Sequence, residues 1–575
     1  MTHLDPVAPH VFRRAVRAVR AGDLAQIVQD DMTAKVGRAR AQTWEATFVL
    51  WMIVALEGGA SDLHLTKAQT VADRLSDKQC EEIGLRRPVP YSQMESALAD
   101  LADAMEETVD QATGEVKPAR LSVSLTEFAT RLVSQVLPAS LRRRATLAMD
   151  STDFETWHRR RSWASHMKPD DAPDALPEDD FDAGRKGGSN EPGWPLTRAD
   201  GRLQHTWDPD ACEGYRTGKN RNRKSTFVGW DAHLITQVPE QGGAAEAHLV
   251  VGVALAPAGS YKADAGLDLL DAVTRLHGKP EIVLVDRGYS YAKQECWALP
   301  LAERGIEQVF DLHTTQRGAR PGPIPGTIWL DGAVFVDGLP NNLRSLPGYR
   351  LGMSAEDKAQ LAEQYDNRAA WAFSTMGGPH PTRSTQRMRG PAQAGRVRCA
   401  NNPRSKRLDP GTRPTTKCVK GTPCACGKTL TLPREEMAQV RQADLFGTTA
   451  WKASYGRRSG VESLNASTSL HHGKVGRGST RVLGTRRNGI LLAFLLAAVN
   501  VHILLARYGY DISNPPPEGT EITPLPSKSK ALHRRLPFKR RPRRTKSRPP
   551  GSAPPTTATR WASPHSTQKN MTNAD

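Results

Sequence analysis

Eighteen consecutive residues near the end of the chain, "GILLAFLLAAVNVHILLA" (489–506), carry no Lys, Arg, Asp or Glu, and only Asn500 and His502 interrupt their apolar character. A helix of that length, rising about 1.5 Å per residue, is long enough to cross a bilayer. It must lie either in a membrane or at the centre of a large core. The two polar interruptions, and the lack of a second such run, favour the core, so the chain is not expected to enter a membrane. A helix apolar on every face needs structure packed all round it, and 575 residues can supply that. The opening "MTHLDPVAPHVFRRAVRAVR" has no apolar leader, and seven cysteines are too few for a disulfide scaffold. The expected compartment is a reducing cytoplasm.

Periodicity divides the rest. Residues 1–140 read as helical: "TWEATFVLWMIVALEGG" is an apolar helix stopped by Gly58 and Gly59, and "PYSQMESALADLADAMEE" is amphipathic. This part is either a helical bundle or a domain that binds DNA ends. From 145 the pattern becomes α/β. "ATLAMD" predicts a strand, followed by an irregular loop over 155–222 that carries Trp157, Trp163, Trp194 and Trp207. "FVGWDAHLITQV" and "AHLVVGVALAP" predict two more strands, "ADAGLDLLDAVTRLHG" a helix, "EIVLVD" a strand, "YAKQECWALPLAERG" a helix and "QVFDLH" a fifth strand. The first three strands can pair as an antiparallel meander. The last two need crossovers and should be parallel. This gives an α/β core over 145–315 and 446–511, split by a loop-rich insertion at 316–445 with one hairpin in "TIWLDGAVFVDGLP". A Pro-rich basic tail, expected to be disordered, covers 512–575.

Two of these strands end alike, "TLAMD" on Asp150 and "IVLVD" on Asp286. The carboxyl edge of an α/β sheet is where ligands bind. Either Asp alone could cap a turn or pair with an arginine. On neighbouring strands the two repel unless a cation joins them, and a hard ion such as Mg2+ or Mn2+ suits them. A third carboxylate would complete a two-metal site for in-line phosphoryl displacement.

The arrangement resembles the ribonuclease-H-like core, a mixed sheet flanked by helices, of bacterial insertion-sequence DDE transposases. "VLVDRGYS" resembles that family's second-Asp motif. "YGRRSGVE" resembles its Tyr-x2-Arg-x3-Glu motif through Tyr455, Arg458 and Glu462. The resemblance spans about 145–508. It implies Asp150, Asp286 and Glu462 as catalytic metal ligands, cleavage at transposon ends, strand transfer into target DNA, and a homodimer on double-stranded DNA. Seven residues after the Glu the family often has a Lys or Arg; here it is Ser469, with His471, His472 or Lys474 as substitutes. Glu435 and Glu436, before "MAQVRQADLF", are rivals to Glu462 as third ligand. A nuclease of the same core without strand transfer is the alternative. An inactive DNA-binding derivative is disfavoured because all three acids are present.

Charge agrees with a polyanionic partner. Lys plus Arg number 79 against 61 acids, a net +18. Eleven of those bases fall between Lys528 and Arg548 with no acid among them, either a solvated tail or a nonspecific DNA-binding arm. Lys219, Arg221, Arg223 and Lys224, just before the second strand, are a solvated loop or a backbone contact, and Arg287 is a further candidate contact. Cys399, Cys418, Cys424 and Cys426 form C-x18-C-x5-C-x-C in the insertion. They are free thiols or the ligands of a structural Zn2+.

Overall fold

A computed structural model of the protein describes residues 5–526, apart from 34–39, 110–112, 143–144, 159–203, 205, 217–224, 244–245, 261, 351, 379–383 and 518. Five strands build the sheet on which the site rests: β1 (Thr146–Glu155), β2 (Ser225–Gln237), β3 (Val250–Pro257), β4 (Ile282–Leu284) and β5 (Glu307–Val309). Their order across the sheet is β3-β2-β1-β4-β5, with β1/β2 and β2/β3 antiparallel and β1/β4 and β4/β5 parallel. The meander followed by parallel strands is the pairing that the connection lengths demand. An additional strand, Cys212–Arg216, pairs with the first residues of β2 inside what sequence reading left as an irregular loop.

The helices that position the site are α1 (Trp44–Glu57), α2 (Leu125–Gln135), α3 (Lys262–His277), α4 (Ala298–Glu303), α5 (Thr449–Gly456), α6 (Ser459–Ala466) and α7 (Thr485–Ile503). The apolar run forms α7 and is buried along nearly its whole length. Its extended form, Thr485–Tyr508, is long and apolar enough for a bilayer, with a mean hydropathy of 2.4 over its most apolar eighteen residues. Here that apolar surface faces protein: Phe494 packs edge-on against Phe48 and Trp51 of α1. Asn500 explains the polar interruption. Fully buried, it accepts from the Val250 N–H at 2.9 Å and donates to the Val133 and Val250 carbonyls, both at 2.8 Å. One amide thus ties α7 to both α2 and β3, and its buried polar atoms are satisfied. At the other end, the Gly484 and Thr485 N–H groups donate to the carboxylates of Asp208 and Asp210, where acids favour a helix start.

Four expectations change. The helices of the first 140 residues share one continuous hydrophobic core with the sheet and α7, and residues 1–525 form one compact unit. The expected boundary near 140 therefore separates no cores. Strand β1 does not stop at Asp150 but continues to Glu155, because β2 pairs with it as far as Gly229. The segment 291–305 is mostly turns, with only α4 helical; Pro300 sits in that helix's first turn, where a proline costs no hydrogen bond. The start of the basic tail belongs to the fold: Ile512 is buried, just after Asp511, which forms a two-bond ion pair with Arg14 at 3.0 and 2.7 Å, and the Leu525 N–H donates to the Arg507 carbonyl at 2.7 Å. The tail from 527 onward lies outside the described residues.

The insertion has its own smaller core. It contains the expected hairpin, Thr327–Leu330 with Ala333–Val336, and a three-stranded sheet from Ser374–Thr375, Thr385–Arg389 and Thr429–Pro433. A fifteen-residue helix, Ala355–Ala369, was not expected. Its signals were present: Ser354 caps it by accepting from the Asp357 N–H, and Glu356 and Asp357 occupy the first turn. The stretch "MAQVRQADLF" is not helix-like beyond a short turn at Ala438–Val440.

Candidate active site

Strands β1 and β4 run parallel with Thr146 opposite Ile282 and Ala148 opposite Leu284. The same offset carried two residues further sets Asp286, just beyond β4, level with Asp150. Burial first, and then the charge of Asp286, lift the Asp150 carboxyl to about 6. The Ser151 N–H, which donates to Asp150 Oδ1 at 2.9 Å, and the charges of Arg458 and Lys262 oppose that rise. Asp286 caps the short helix Arg287–Ser290, its Oδ1 accepting from the Gly288 N–H at 2.8 Å. The turn reading of Asp286 and its place beside Asp150 are thus both realised.

Gly288 is required by closeness. A Cβ there would lie 2.9 Å from Asp286 Oδ1 and 3.2 Å from Lys262 Nζ. Lys262, the first residue of α3, was not singled out in the sequence. Its ammonium donates to Ser151 Oγ at 2.6 Å, so it reaches both the residue after Asp150 and the turn after Asp286. Only the crossover from β3 brings it there, and nothing local in "SYKADAGLD" marks it. Beneath the acids lies a buried neutral pair: His233 Nδ1 and the Tyr289 hydroxyl are 2.7 Å apart. Burial pulls His233 down to about 3 and pushes the Tyr289 phenol well above its ordinary value.

The third acid arrives on α6. That helix packs closely on the sheet through Gly460, where a Cβ would come within 2.4 Å of the His248 ring, and through buried Val461 and Leu464. Arg458, at the start of α6, reaches two acids: Nη2 lies 2.6 Å from Glu462 Oε1 and Nη1 lies 3.7 Å from Asp150 Oδ2. Its Nε is buried without a hydrogen-bond partner. The guanidinium stands 5.4 Å from the Tyr455 ring, and Tyr455 in turn stacks on Trp451 of α5 with ring centroids 5.1 Å apart. Arg458 and Glu462 thus pair at i, i+4, as their helical spacing allows. Tyr455 is half-buried as a platform for the arginine.

The acids are gathered but do not converge. Among the described residues, the only group of three or more candidate ligands with donor atoms all within 4.8 Å is the cysteine cluster, not Asp150, Asp286 and Glu462. Asp150 and Asp286 have the hard oxygen donors and mutual repulsion that suit a divalent ion. Glu462 is largely exposed and engaged with Arg458, so this arrangement presents two carboxylates rather than three. Two cations of the chain itself, Lys262 and Arg458, supply positive charge there.

Other expected residues are scattered. Arg287 is ion-paired with Asp311, beyond β5. Lys474 and His471 are exposed, and Ser469 is half-buried. The His472 carbonyl lies 3.3 Å from His502 Nδ1. Glu436 accepts from the Trp329 indole at 3.4 Å within the insertion, and Glu435 is exposed. Trp157 and Trp207 are exposed. Lys219, Arg221, Arg223, Lys224, Trp163 and Trp194 lie outside the described residues. The sulfurs of Cys399, Cys418, Cys424 and Cys426 come together and could hold a metal ion such as zinc. Comparison with protein-family models, curated proteins and solved structures gives no match.

Proposed function

We propose that the chain is a DNA transposase of the DDE type, cutting DNA at the ends of a mobile element and joining them to target DNA on a ribonuclease-H-like core. The observation that carries this reading is the joint placement of three motifs. Asp150 in the middle strand is level with Asp286 beyond the adjacent parallel strand, and a long insertion later α6 brings Arg458, paired with Glu462, to 3.7 Å from Asp150.

In this reading Asp150 and Asp286 hold Mg2+ or Mn2+, with Glu462 joining them. Such an ion, when bound, activates the attacking oxygen and stabilises the leaving one. The chain's own groups position the DNA. Arg458 has an unpartnered buried Nε and only a loose contact with Asp150, so its guanidinium is suited to a phosphate oxygen. When a phosphate takes Arg458, Glu462 is freed to turn towards the two aspartates. Lys262 is a second phosphate anchor on the opposite side, from α3. The neutral His233–Tyr289 pair packs under the acids without adding charge. The basic excess of the chain supplies sequence-independent affinity for the DNA backbone. Pairing of two element ends calls for a homodimer on DNA, in the cytoplasm of a bacterial cell.

The test is a supercoiled plasmid carrying this gene with its native flanks, incubated with the purified chain and Mg2+ or Mn2+. Metal-dependent breaks at the two flanks, followed by joined products, are expected. Breaks without joining would reduce the reading to a nuclease on the same core. Absence of metal-dependent breaks, with the chain folded, would refute both.

A further inference from the structure

The insertion places four thiols where the proposed DNA chemistry has no use for them. Cys399, Cys418, Cys424 and Cys426 come from three separate stretches of chain. Cys399 and Cys426 are buried in the insertion's small core, and Cys418 and Cys424 pack against it half-buried. All four sulfurs lie within 4.8 Å of one another. Cys399 and Cys424 are separated by 3.7 Å, and Cys418 and Cys426 by 3.6 Å. A disulfide needs about 2.05 Å. A tetrahedron of sulfurs about 2.3 Å from a central zinc has edges of about 3.8 Å, close to both observed separations.

Burial raises the Cys399 and Cys426 thiols, and two further observations favour negative charge on the sulfurs against it. First, the backbone N–H groups of Asn401 and Cys426 favour the thiolates of Cys399 and Cys424. The Asn401 side chain adds a bond to Cys424 Sγ at 3.5 Å. The same side chain fixes the loop that carries the ligands, donating to the Val419 and Thr422 carbonyls at 3.0 and 2.8 Å and accepting from the Gly421 N–H at 2.8 Å. Second, the counter-charge is local. Residues 396–428 contain nine Lys or Arg and a single acid, Asp409. Four thiolates around one divalent ion leave a net charge of −2, and the surrounding stretch carries an excess of base of the opposite sign.

We infer that Cys399, Cys418, Cys424 and Cys426 bind one Zn2+ as a closed, structural tetrathiolate site. Zinc suits it because the ion is redox-inert, tetrahedral and thiolate-loving, and because all four positions are filled by protein. Each thiol gives up its proton on binding, so the site forms only with the folded insertion. The ion fastens the loop 396–428, which has little apolar content, to the insertion's core. That core abuts the proposed active site through Gln439, which donates to the Tyr291 and Ala292 carbonyls at 3.0 and 2.7 Å. The inference stands whether or not the chain acts on DNA.

The experiment is elemental analysis of the full chain purified under reducing conditions, with Co2+ replacement as a second measurement that needs no variant. The expected result is about one zinc per chain, falling below about a tenth in Cys399→Ser, Cys418→Ser and Cys424→Ser. It should be unchanged in Cys296→Ser, an exposed cysteine elsewhere. Co2+ should give the intense absorption of a tetrahedral tetrathiolate site. Stripping with a mercurial should open the insertion, and not the rest of the chain, to protease. Wild-type chain with iron instead of zinc, with two disulfides, or with no metal and four freely titrating thiols would overturn the inference. So would loss of zinc in Cys296→Ser equal to that in the other three variants.

Discussion

The acid site on the sheet and the cysteine cluster in the insertion are built in opposite ways. The four sulfurs already lie within 4.8 Å of one another, enclosed by a small core and by N–H groups turned towards them. The carboxylates are spread over β1, the end of β4 and α6, and Arg458 stands between Asp150 and Glu462. A site meant to stay closed can be assembled in advance, because its ligands need no other partner. A site meant to admit a phosphate must remain open, so ionised acids there repel one another until something cationic arrives. Here Lys262 and Arg458 fill that part. On the proposed reading, preassembly distinguishes a structural centre from a reactive one in the same chain.

The strongest test of that contrast is to neutralise each strand acid. Asp150→Asn and Asp286→Asn should each lower metal-dependent DNA cleavage by about three orders of magnitude or more, while DNA binding in gel-shift assays stays within a few-fold. If either variant cuts at near the wild-type rate, that residue is outside the reactive centre. Next in size is the third acid. Glu462→Gln should lose about a hundredfold or more in both cleavage and strand transfer, while the double variant Glu435→Gln, Glu436→Gln keeps most activity. The reverse outcome would move the third ligand into the insertion.

The smallest effect concerns stability. Asp150 is raised to about 6 mainly by burial, so its protonated form is favoured in the folded chain. The associated stability is complete below the carboxyl's ordinary range near 4 and is lost as pH rises through 6. In chelator, ionised Asp150 should therefore cost up to about 3 kcal/mol at pH 8. Asp150→Asn should then melt higher than wild type at pH 8, with the advantage shrinking below pH 6 and gone near pH 4. An advantage independent of pH would place the strain elsewhere.

Much of this was readable from residue order, and the failures have physical causes. Period-two strands and the lengths between them fixed the antiparallel meander and the parallel pair, because hairpins and crossovers obey simple limits. The Arg458–Glu462 pair follows from helical spacing alone. Asp150 was misplaced at a strand end because the apolar stretch stops there, whereas the hydrogen-bonded ladder with β2 runs on through polar residues to Glu155. Lys262 was invisible because its approach to Ser151 depends on how α3 crosses the sheet, a tertiary fact. The helix Ala355–Ala369 is mostly polar and buries only a narrow face, so the cap at Ser354 and the acids after it are its main local signals. The four cysteines were noticed, but C-x18-C-x5-C-x-C lacks paired knuckles, so only coordinates could bring the sulfurs together.

Asn500 and the helix around it also bear on how the protein is made. The helix at the centre of the fold leaves the ribosome only after every strand of the sheet it packs on. The strands and helices that will surround it, α1, α2 and β3, emerge hundreds of residues earlier. Until residue 500 appears, the Val133 carbonyl and both backbone groups of Val250 lack the partner they have in the finished molecule, and Phe48 and Trp51 have no Phe494 to cover them. A nascent chain therefore carries an uncovered apolar cleft through most of its synthesis, the kind of surface on which aggregation starts and chaperones act. Chains released early, before about residue 485, cannot close that cleft. They lack these contacts even when every strand of the sheet has already been translated.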